Sequence, residues 1–229
     1  MWRQLLLLWV CVVPFMRLRL ALYRGLFGFK IARTAKIRML SFLDTRELVM
    51  KDHAEIRGFG NVFMSMARVE LDEYARIGAP RVGLNLFRGR ANKGVPTQAT
   101  LRLGKCAVIE LFHYFDVCAD VVIGNNVVVG GIRSVFFTHT LFKDQYEPIE
   151  LKDDIYVGSN CSFQMGVTVA ERCVVGLGSV VVKSIDKPGA FVAGVPARVA
   201  KEDMGFDMRA AMKLRRRPYW DGTSVVLPS

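Results

Sequence analysis

The sequence lacks several features that often assign a function early. Its five cysteines are odd in number and show no C-x-x-C spacing, which argues against a disulfide framework or a zinc ribbon. They lie mostly among apolar residues and are predicted to be small core residues of a protein in a reducing compartment. The three histidines, His53, His113 and His139, include no close pair, so three convergent imidazoles are not expected. We therefore expect no metal site.

Acidic residues are missing from the first forty positions, which hold eight basic side chains. Residues 41–200 hold eighteen basic and seventeen acidic side chains, so most of the net charge of +11 belongs to the N-terminal segment. A nucleic-acid-binding protein would more typically spread a basic stripe over its folded surface. The near-neutral body of the chain therefore argues against a nucleic-acid partner.

The apolar run at residues 5–16 is too short to cross a membrane by itself. As a helix it would reach about 18 Å, against roughly 30 Å of hydrocarbon, and no small-residue cleavage site of a secretory signal follows it. The run favours a helix that lies in the membrane interface, with Trp2, Trp9 and Phe15 as anchors and arginines near anionic headgroups. The alternative is a helix packed on the rest of the fold or on a partner chain.

Apolar residues recur every six positions from about residue 101 onward, which indicates a repeat architecture. These anchors are Leu103, Ile109, Phe115, Ile123, Val129, Val135, Leu151, Val157, Phe163, Val169, Val175 and Val181. A six-residue period describes a short strand followed by a tight turn, and three such sides close a coil of about 18 residues. Coils stacked about 4.8 Å apart pair each strand with the one above. The sequence therefore predicts an all-β parallel β-helix.

The chain is predicted to divide into three parts. These are a basic, membrane-associating helical segment at 1–40, a β-helix domain at 41–200, and a C-terminal helix and tail at 201–229. Polar loops without the period interrupt the domain at 86–100 and 139–148. Residues 202–220 predict a helix, ended by Pro218, that caps the last coil.

Four stretches in the last third of the chain carry a family pattern. They are 156–160 (YVGSN), 166–169 (GVTV), 176–183 (GLGSVVVK) and 193–199 (AGVPARV). With these motifs the chain resembles the left-handed β-helix acyltransferases of the hexapeptide-repeat class, particularly the maltose, galactoside and xenobiotic O-acetyltransferases and related glycan O-acetyltransferases. The resemblance covers about residues 69–200. It implies the left hand of the coil, a homotrimer with active sites between neighbouring chains, and acetyl-CoA as co-substrate.

The resemblance also implies a catalytic role for His139, which stands where a loop leaves the coil. In such enzymes a histidine at this place takes the proton of an acceptor hydroxyl while that hydroxyl attacks the thioester. Imidazole suits the task because its protonation changes near neutral pH. The alternative is a loop histidine bonded to its own backbone.

The resemblance also implies a CoA site, whose residues are identified by matching each motif position of the family to this sequence. Its residues here are Ser159, Leu177, Val182, Lys183, Arg198 and Lys201. The first two are expected to present main-chain groups to the pantetheine arm, the next two to lie beside that arm, and the last two to meet the nucleotide phosphates. The three basic residues could instead be solvated surface charges.

Acceptor recognition departs from the family pattern. Several sugar acetyltransferases have an asparagine on the coil before the catalytic loop, and the matching stretch here begins at Glu110, with Phe112 nearest that place. Phe112 could stack on a sugar ring or a lipid, or form a trimer contact. Coil stacking puts Arg133 in an inward column with His113, where an unpaired charge would cost several kcal/mol. Arg133 is therefore expected to turn outward toward the His139 loop, or else to reach a buried acceptor.

Together these features favour an acyl-CoA-dependent O-acyltransferase, most simply an acetyltransferase. The expected acceptor is a hydroxyl of a sugar, glycan or glycolipid precursor on the cytoplasmic face of a membrane, since acyl-CoA is cytosolic. Arginines and a lysine near the first polar loop could meet a lipid phosphate or be solvated; they are Arg81, Arg88, Arg90 and Lys93. The alternatives are an N-acyltransferase acting on an amino-sugar nucleotide and a non-catalytic β-helix scaffold.

Overall fold

The fold is seen in a computed structural model that describes residues 2–90, 98–140 and 145–228. Two helices, α1 (Trp2–Cys11) and α2 (Met16–Phe27), precede the strands, and a short helix, α3 (Met208–Leu214), follows most of them. Pro14 lies between α1 and α2, where its missing N–H and ring interrupt the helical segment.

Strands, most of them short, are the main regular secondary structure of the described chain. Those of the first half are β1 (Lys30–Ile31), β2 (Lys36–Ile37), β3 (Phe42–Met50), β4 (Glu55–Ile56), β5 (Val62–Leu71), β6 (Arg76–Ile77), β7 (Leu86–Gly89), β8 (Thr100–Leu103), β9 (Val108–Leu111) and β10 (Tyr114–Val117). Those that follow are β11 (Val121–Ile123), β12 (Val128–Ile132), β13 (Val135–Phe137), β14 (His139–Thr140), β15 (Gln145–Tyr146), β16 (Ile149–Leu151), β17 (Tyr156–Val157), β18 (Ser162–Phe163), β19 (Thr168–Val169), β20 (Val174–Val175), β21 (Val180–Val181), β22 (Phe191–Gly194), β23 (Ala197–Lys201), β24 (Tyr219–Trp220) and β25 (Val225–Val226).

The strands stack in parallel into three faces. The first face runs from β1 and the ends of β3 and β5 through β8, β11, β16 and β19. The second face runs β2, β4, β6, β9, β12, β17, β20 and β22. The third face begins with the starts of β3 and β5 and continues through β7, β10, β13, β18 and β21. This arrangement is a parallel β-helix, as the six-residue period predicted.

Eleven of the twelve predicted anchors are buried in the core; the exception is Val135, which is half-buried. Its neighbour Phe136 takes the inward place instead and is fully buried. The pairing of β9 with β12 shifts between Val129 and Ile132, where Gly131 adopts a left-handed backbone conformation with φ 65°. One residue more than the period requires therefore enters this coil, and the predicted register there was wrong.

A ladder of stacked phenylalanines fills the inside of the third face. Its members are Phe63, Phe87, Phe115, Phe136 and Phe163, with centroids of successive rings 4.5, 5.1, 4.3 and 4.5 Å apart. The ladder follows from the in-register parallel pairing, which sets equivalent residues of successive coils one above another. Each ring buries a large apolar area, so the ladder is a main part of the core.

Replacing Phe136 with alanine is expected to lower the free energy of unfolding by about 3–5 kcal/mol, because it leaves a cavity inside the ladder. The matched control is Phe137→Ala, since that adjacent side chain is 45% exposed. Urea unfolding of both variants measures the difference. Equal losses of stability would show that the register at this coil is wrong.

The β-helix begins one coil earlier than predicted. Strand β1 pairs with the end of β3, and β2 pairs with β4, so the first coil starts near residue 30 instead of 41. The period was already present there, because Ile31 and Ile37 are six residues apart and both are buried. The helical segment therefore occupies residues 2–27.

The C-terminal helix forms, but it is shorter than the predicted 202–220 and lies elsewhere. In α3, Met208 and Met212 pack on Val108 and Val128 of the second face, so the helix covers the side of the prism and not its last coil. Asp207 begins the helix by accepting hydrogen bonds from two of its first backbone N–H groups. The last coil is instead covered by β23, which pairs antiparallel with β22.

The N-terminal helices pack on the opposite end of the β-helix. Leu7 and Val10 of α1 belong to the core, and Arg3 pairs with Asp44 at 2.8 Å. The other side of α1 and of the turn after it exposes large apolar side chains, among them Trp2, Leu5, Trp9 and Phe15. No helix in the described residues is long and apolar enough to cross a membrane.

Candidate active site

The site lies at the corner between the third and first faces, where the chain leaves the coil after β13. His139 opens β14, which pairs antiparallel with β15 and sets His139 opposite Tyr146. Residues 141–144, between the two strands, lie outside the described residues. The side chain of His139 is 16% exposed, so it is fixed by neighbours while one edge stays accessible.

The carboxylate of Asp116 contacts the His139 ring at Nδ1. Its Oδ2 lies 2.5 Å from Nδ1 of His139, and its side chain is 2% exposed. Asp116 belongs to β10, which pairs with β13 so that Asp116 lies beside Phe137, two residues before His139. A buried carboxylate in this position fixes the orientation of the ring and stabilises an imidazolium. Asp116 was not among the predicted site residues.

Two further side chains hold Asp116. The hydroxyl of Thr138 donates to the Asp116 carbonyl at 2.8 Å and accepts hydrogen bonds from the backbone N–H groups of Cys118 and Ala119. The Cys118 thiol donates to Oδ1 of Asp116 at 3.3 Å. Burial, and then the Asp116 carboxylate, raise the pKa of this thiol to about 12, so it stays a neutral donor. The backbone N–H of Thr138 donates to Oδ2 of Asp116 at 3.3 Å, so both oxygens of the carboxylate are held.

Asp116, Cys118 and His139 also offer three ligand atoms that lie within 4.8 Å of one another, close enough for a transition metal. Ligation by sulfur would, however, replace the hydrogen bond that the Cys118 thiol donates to Oδ1 of Asp116. Ligation by Nδ1 would also break the short bond between His139 and Asp116. The cluster therefore fits a proton-transfer dyad better than a metal site.

Arg90 reaches the other nitrogen of the ring. Its guanidinium lies 3.2 Å from Nε2 of His139 and donates to the Tyr146 hydroxyl at 3.0 Å. Because a guanidinium only donates, Nε2 carries the lone pair and the ring proton is assigned to Nδ1, which faces Asp116. In this tautomer Nε2 can accept a proton, so His139 can act as a base through that nitrogen. Arg90, predicted as a solvated or phosphate-binding residue, instead contacts His139; Lys93 lies outside the described residues.

The other two histidines have different surroundings. His113 is buried, and its Nδ1 accepts the backbone N–H of Ser134 at 3.0 Å within an internal polar column. Burial lowers the pKa of His113 to about 4, so this imidazole is neutral and structural. His53 is exposed and stacks on Tyr74 in the early coils. Of the three, His139 alone pairs with a carboxylate in the described residues.

Three of the predicted CoA-site residues come together at the corner between the second and third faces. Ser159 and Leu177 lie there on successive coils, where the Ser159 carbonyl accepts from the N–H of Gly178 at 2.9 Å and Leu177 is 78% exposed. Arg198 lies on β23, opposite Ala193 of β22 and two strands beyond β20 in the second face. The assignment of these residues to CoA stays a prediction.

The remaining three lie elsewhere in the chain. Val182 and Lys183 follow β21 at the corner that also carries His139, two coils or about 10 Å along the axis. Lys201 lies opposite Phe191, at the start of β22. One chain therefore places part of the predicted cofactor site on the same edge as His139, two coils away, part across the third face from it, and Lys201 at the far edge of the second face.

The predicted acceptor residues are not adjacent to His139 within one chain. Glu110 pairs with Arg217 of the C-terminal segment at 3.0 Å. Phe112 and Arg133 are exposed on the same corner as Ser159, with the Arg133 N–H donating to the Phe112 carbonyl at 3.2 Å. Arg133 turns outward as expected and Ser134 takes the inward place, but Arg133 lies at the corner away from the His139 loop, so the predicted direction toward that loop was wrong. The acceptor roles of Glu110, Phe112 and Arg133 stay predictions.

Comparison with known proteins found similar acetyltransferases. Galactoside O-acetyltransferase of Escherichia coli (strain K12) is 36% identical over 90 residues, which are 36% of this chain and 44% of that protein. A putative acetyltransferase of Schizosaccharomyces pombe is 36% identical over 93 residues, 37% of this chain and 44% of that protein. The chain thus spans less than half the length of these relatives. No protein-family model matches the sequence.

Among solved structures, the polysialic acid O-acetyltransferase OatWY aligns over 76% of this chain and 84% of its own, with a TM-score of 0.51 and 15% identity. That likeness concerns the fold. With it the predicted fold class is confirmed, a left-handed parallel β-helix of hexapeptide repeats. The chain resembles the hexapeptide-repeat acyltransferases in sequence and in fold.

Proposed function

We propose that the protein is an acetyl-CoA-dependent O-acetyltransferase with His139 as general base. The observation that carries this proposal is the 2.5 Å contact between Asp116 and Nδ1 of His139, which leaves Nε2 as the proton acceptor. The named relatives support the reaction class, since one acts as a galactoside O-acetyltransferase. A sugar hydroxyl, of a glycan or a glycolipid precursor, is the proposed acceptor.

In the proposed reaction Nε2 of His139 removes the proton from the acceptor hydroxyl as its oxygen attacks the thioester carbonyl carbon. The bond between carbon and sulfur then breaks, and the CoA thiolate takes the proton back from the imidazolium. The products are an acetyl ester and free CoA. The Asp116 carboxylate stabilises the imidazolium between the two steps. The acceptor hydroxyl must displace the Arg90 guanidinium, which lies 3.2 Å from Nε2.

The separation of the predicted binding residues supports a site shared between chains. His139 lies at one edge of the third face, whereas Ser159, Leu177 and Phe112 lie at the other. Each coil crosses the third face in about six residues, or roughly 20 Å of extended chain, so the two groups of residues lie on separate edges of one chain. A homotrimer in which one chain's His139 edge faces the other edge of its neighbour would complete the site.

Arg198→Ala is expected to raise the KM for acetyl-CoA roughly tenfold while kcat changes little, because it removes a charge-assisted contact to a nucleotide phosphate that does not change during reaction. The matched control is Arg172→Ala, an exposed arginine beside Glu171. With acetyl-pantetheine, which lacks the nucleotide, the two variants should have the same KM. A KM for acetyl-CoA that Arg198→Ala leaves unchanged would remove this residue from the site.

The membrane association expected from the sequence remains part of the proposal. One side of α1 is buried on the β-helix, and the opposite side exposes Trp2 and Trp9, which are 78% and 56% exposed. An exposed apolar face on a basic segment is typical of helices that lie in a membrane interface. Because acyl-CoA is cytosolic, the proposed location is the cytoplasmic face of the membrane.

The direct test is incubation of the full chain with radiolabelled acetyl-CoA and a panel of mono- and oligosaccharides, free and lipid-linked. Label that enters the acceptor and is released by mild alkali identifies an ester and supports the proposal. Alkali-stable label on an amino sugar would identify an N-acetyltransferase instead. No transfer to any acceptor and no thioester hydrolysis would favour a non-catalytic scaffold.

A further inference from the structure

A groove runs between the helical segment and the first coils of the β-helix. The turn between α1 and α2 forms one wall, and the corners at 38–40, 58–59 and 80–81 form the other. Its volume is about 430 Å³, within the range of small-ligand sites. A hydrogen bond of 2.9 Å from the Leu40 N–H to the Cys11 carbonyl ties the two walls together. The groove is therefore part of the packed structure.

Three arginines line this groove, and no acidic side chain does. They are Arg19 from α2, Arg38 from the first coil and Arg81 from the third. In the part of the chain that the structure describes, none of them forms an ion pair. Most of the other charged side chains of the early coils form ion pairs, as Arg57 does with Glu55. This concentration of unmatched positive charge favours an anionic ligand.

Arg19 is the most informative of the three because it is only 2% exposed. Its terminal nitrogens donate to the backbone carbonyls of Val13 and Ile37, and its buried Nε has no hydrogen-bond partner in the described structure. Burial lowers the pKa of Arg19, and the nearby charge of Arg38 contributes in the same direction. A buried guanidinium without a counter-charge is costly. An anion in the groove would offset that cost.

The rest of the groove surface is apolar and opens toward the exposed face of the helices. Met39, Leu40 and Phe59 line it and are 38%, 46% and 48% exposed. Phe15, on the turn that forms one wall, is 72% exposed and continues the apolar face of α1. An occupant with both an anionic group and an aliphatic chain matches this surface, whereas a free phosphate would leave the apolar part uncovered.

We propose that this groove binds the phosphate group of an anionic lipid, with the exposed Arg38 and Arg81 at the phosphate, the buried charge of Arg19 behind them, and the apolar rim along the acyl chains. The inference rests on the proposed membrane association and names the lipid chemistry recognised there. It does not depend on acetyl transfer, because binding can be measured without any acceptor or acetyl-CoA.

The test is flotation of the full chain with vesicles of phosphatidylcholine alone and of phosphatidylcholine with phosphatidate. The variant is Arg38→Glu/Arg81→Glu, which leaves the buried Arg19 in place. The matched control is Arg172→Glu/Lys187→Glu, which reverses two exposed charges on the last coils, at the end of the β-helix opposite the N-terminal helices and the groove. Circular dichroism and thermal unfolding show whether each variant is folded.

We expect wild type and the control to bind phosphatidate vesicles, and the groove variant to bind them at least tenfold more weakly, since each basic residue near an anionic surface contributes about 1 kcal/mol. Equal weakening of both variants would show a diffuse charge effect and overturn the proposal. Equal binding of wild type to both kinds of vesicle, or to neither, would overturn it as well.

A second measurement separates a lipid from a free anion. Calorimetry with a short-chain, monomeric phosphatidate is expected to show binding to wild type and at least tenfold weaker binding to the groove variant. Inorganic phosphate should bind wild type at least tenfold more weakly than the short-chain phosphatidate. Equal affinity for the two ligands would identify a simple phosphate site and contradict the lipid assignment.

Discussion

Replacing His139 with alanine is expected to lower kcat for acetyl transfer by roughly 10²–10⁴-fold, because a positioned general base contributes that much. The KM for acetyl-CoA should change little, since His139 acts on the acceptor's proton and the predicted CoA contacts come from other residues. Steady-state kinetics with the acceptor identified by the labelling assay measures both parameters. Thermal unfolding should confirm that the variant is folded.

The control for this variant is His53→Ala. His53 is exposed, stacks on Tyr74 in the early coils and contacts no residue of the proposed site. Its replacement should leave kcat within about twofold of wild type, as surface substitutions usually do. If His139→Ala retained the activity of His53→Ala, His139 would not be the base, although the β-helix assignment would stand.

The second large effect is expected for Asp116→Asn. Asparagine keeps the size of the side chain, but its amide can donate to Nδ1 of His139, which would move the ring proton to Nε2 and remove the base. The corresponding change in other histidine–carboxylate pairs lowers kcat by about 10⁴-fold, and we expect a loss of 10²–10⁴-fold here. Because Asp116 acts through His139, it is a positioning residue.

A merely structural role for Asp116 would have a different signature. The matched control is Asp120→Asn, which alters a nearby carboxylate that accepts the backbone N–H of Thr100 at 2.7 Å. Both variants should retain the wild-type KM for acetyl-CoA, and only Asp116→Asn should lose kcat. If Asp116→Asn kept near-wild-type kcat, the short contact with His139 would have no part in proton transfer. If it lost stability and kcat together, its role would be structural.

The six-residue period predicted the architecture well because inward and outward positions are set by strand pairing alone. Ile109, Val129 and Val157 are in register on three successive coils, as their spacing required. The period failed at Phe136, where the irregularity around Gly131 adds a residue. A glycine pair is compatible with both a regular turn and a bulge, so the sequence could not decide between Val135 and Phe136.

The candidate site was predicted only in part, for a related reason. His139 stood out because it begins a polar loop after an apolar strand. Asp116 lies 23 positions earlier, and its proximity to His139 depends on the register of β10 and β13, which the bulge alters. A signal was present, since Asp116 is an acid in an otherwise apolar and aromatic strand. Arg90 was missed because residues 86–100 were assigned to a loop without the period, whereas 86–89 form β7, which pairs with β10 and sets Arg90 near His139.

The most direct test of the proposed mechanism is a crystal structure of the protein with CoA bound. We expect the sulfur to lie within hydrogen-bond reach of Nε2 of His139, directly or through one water, with the pantetheine arm between two chains and along the corner of Ser159 and Leu177. A CoA bound elsewhere, or a sulfur far from His139, would contradict the assignment of His139 as the base.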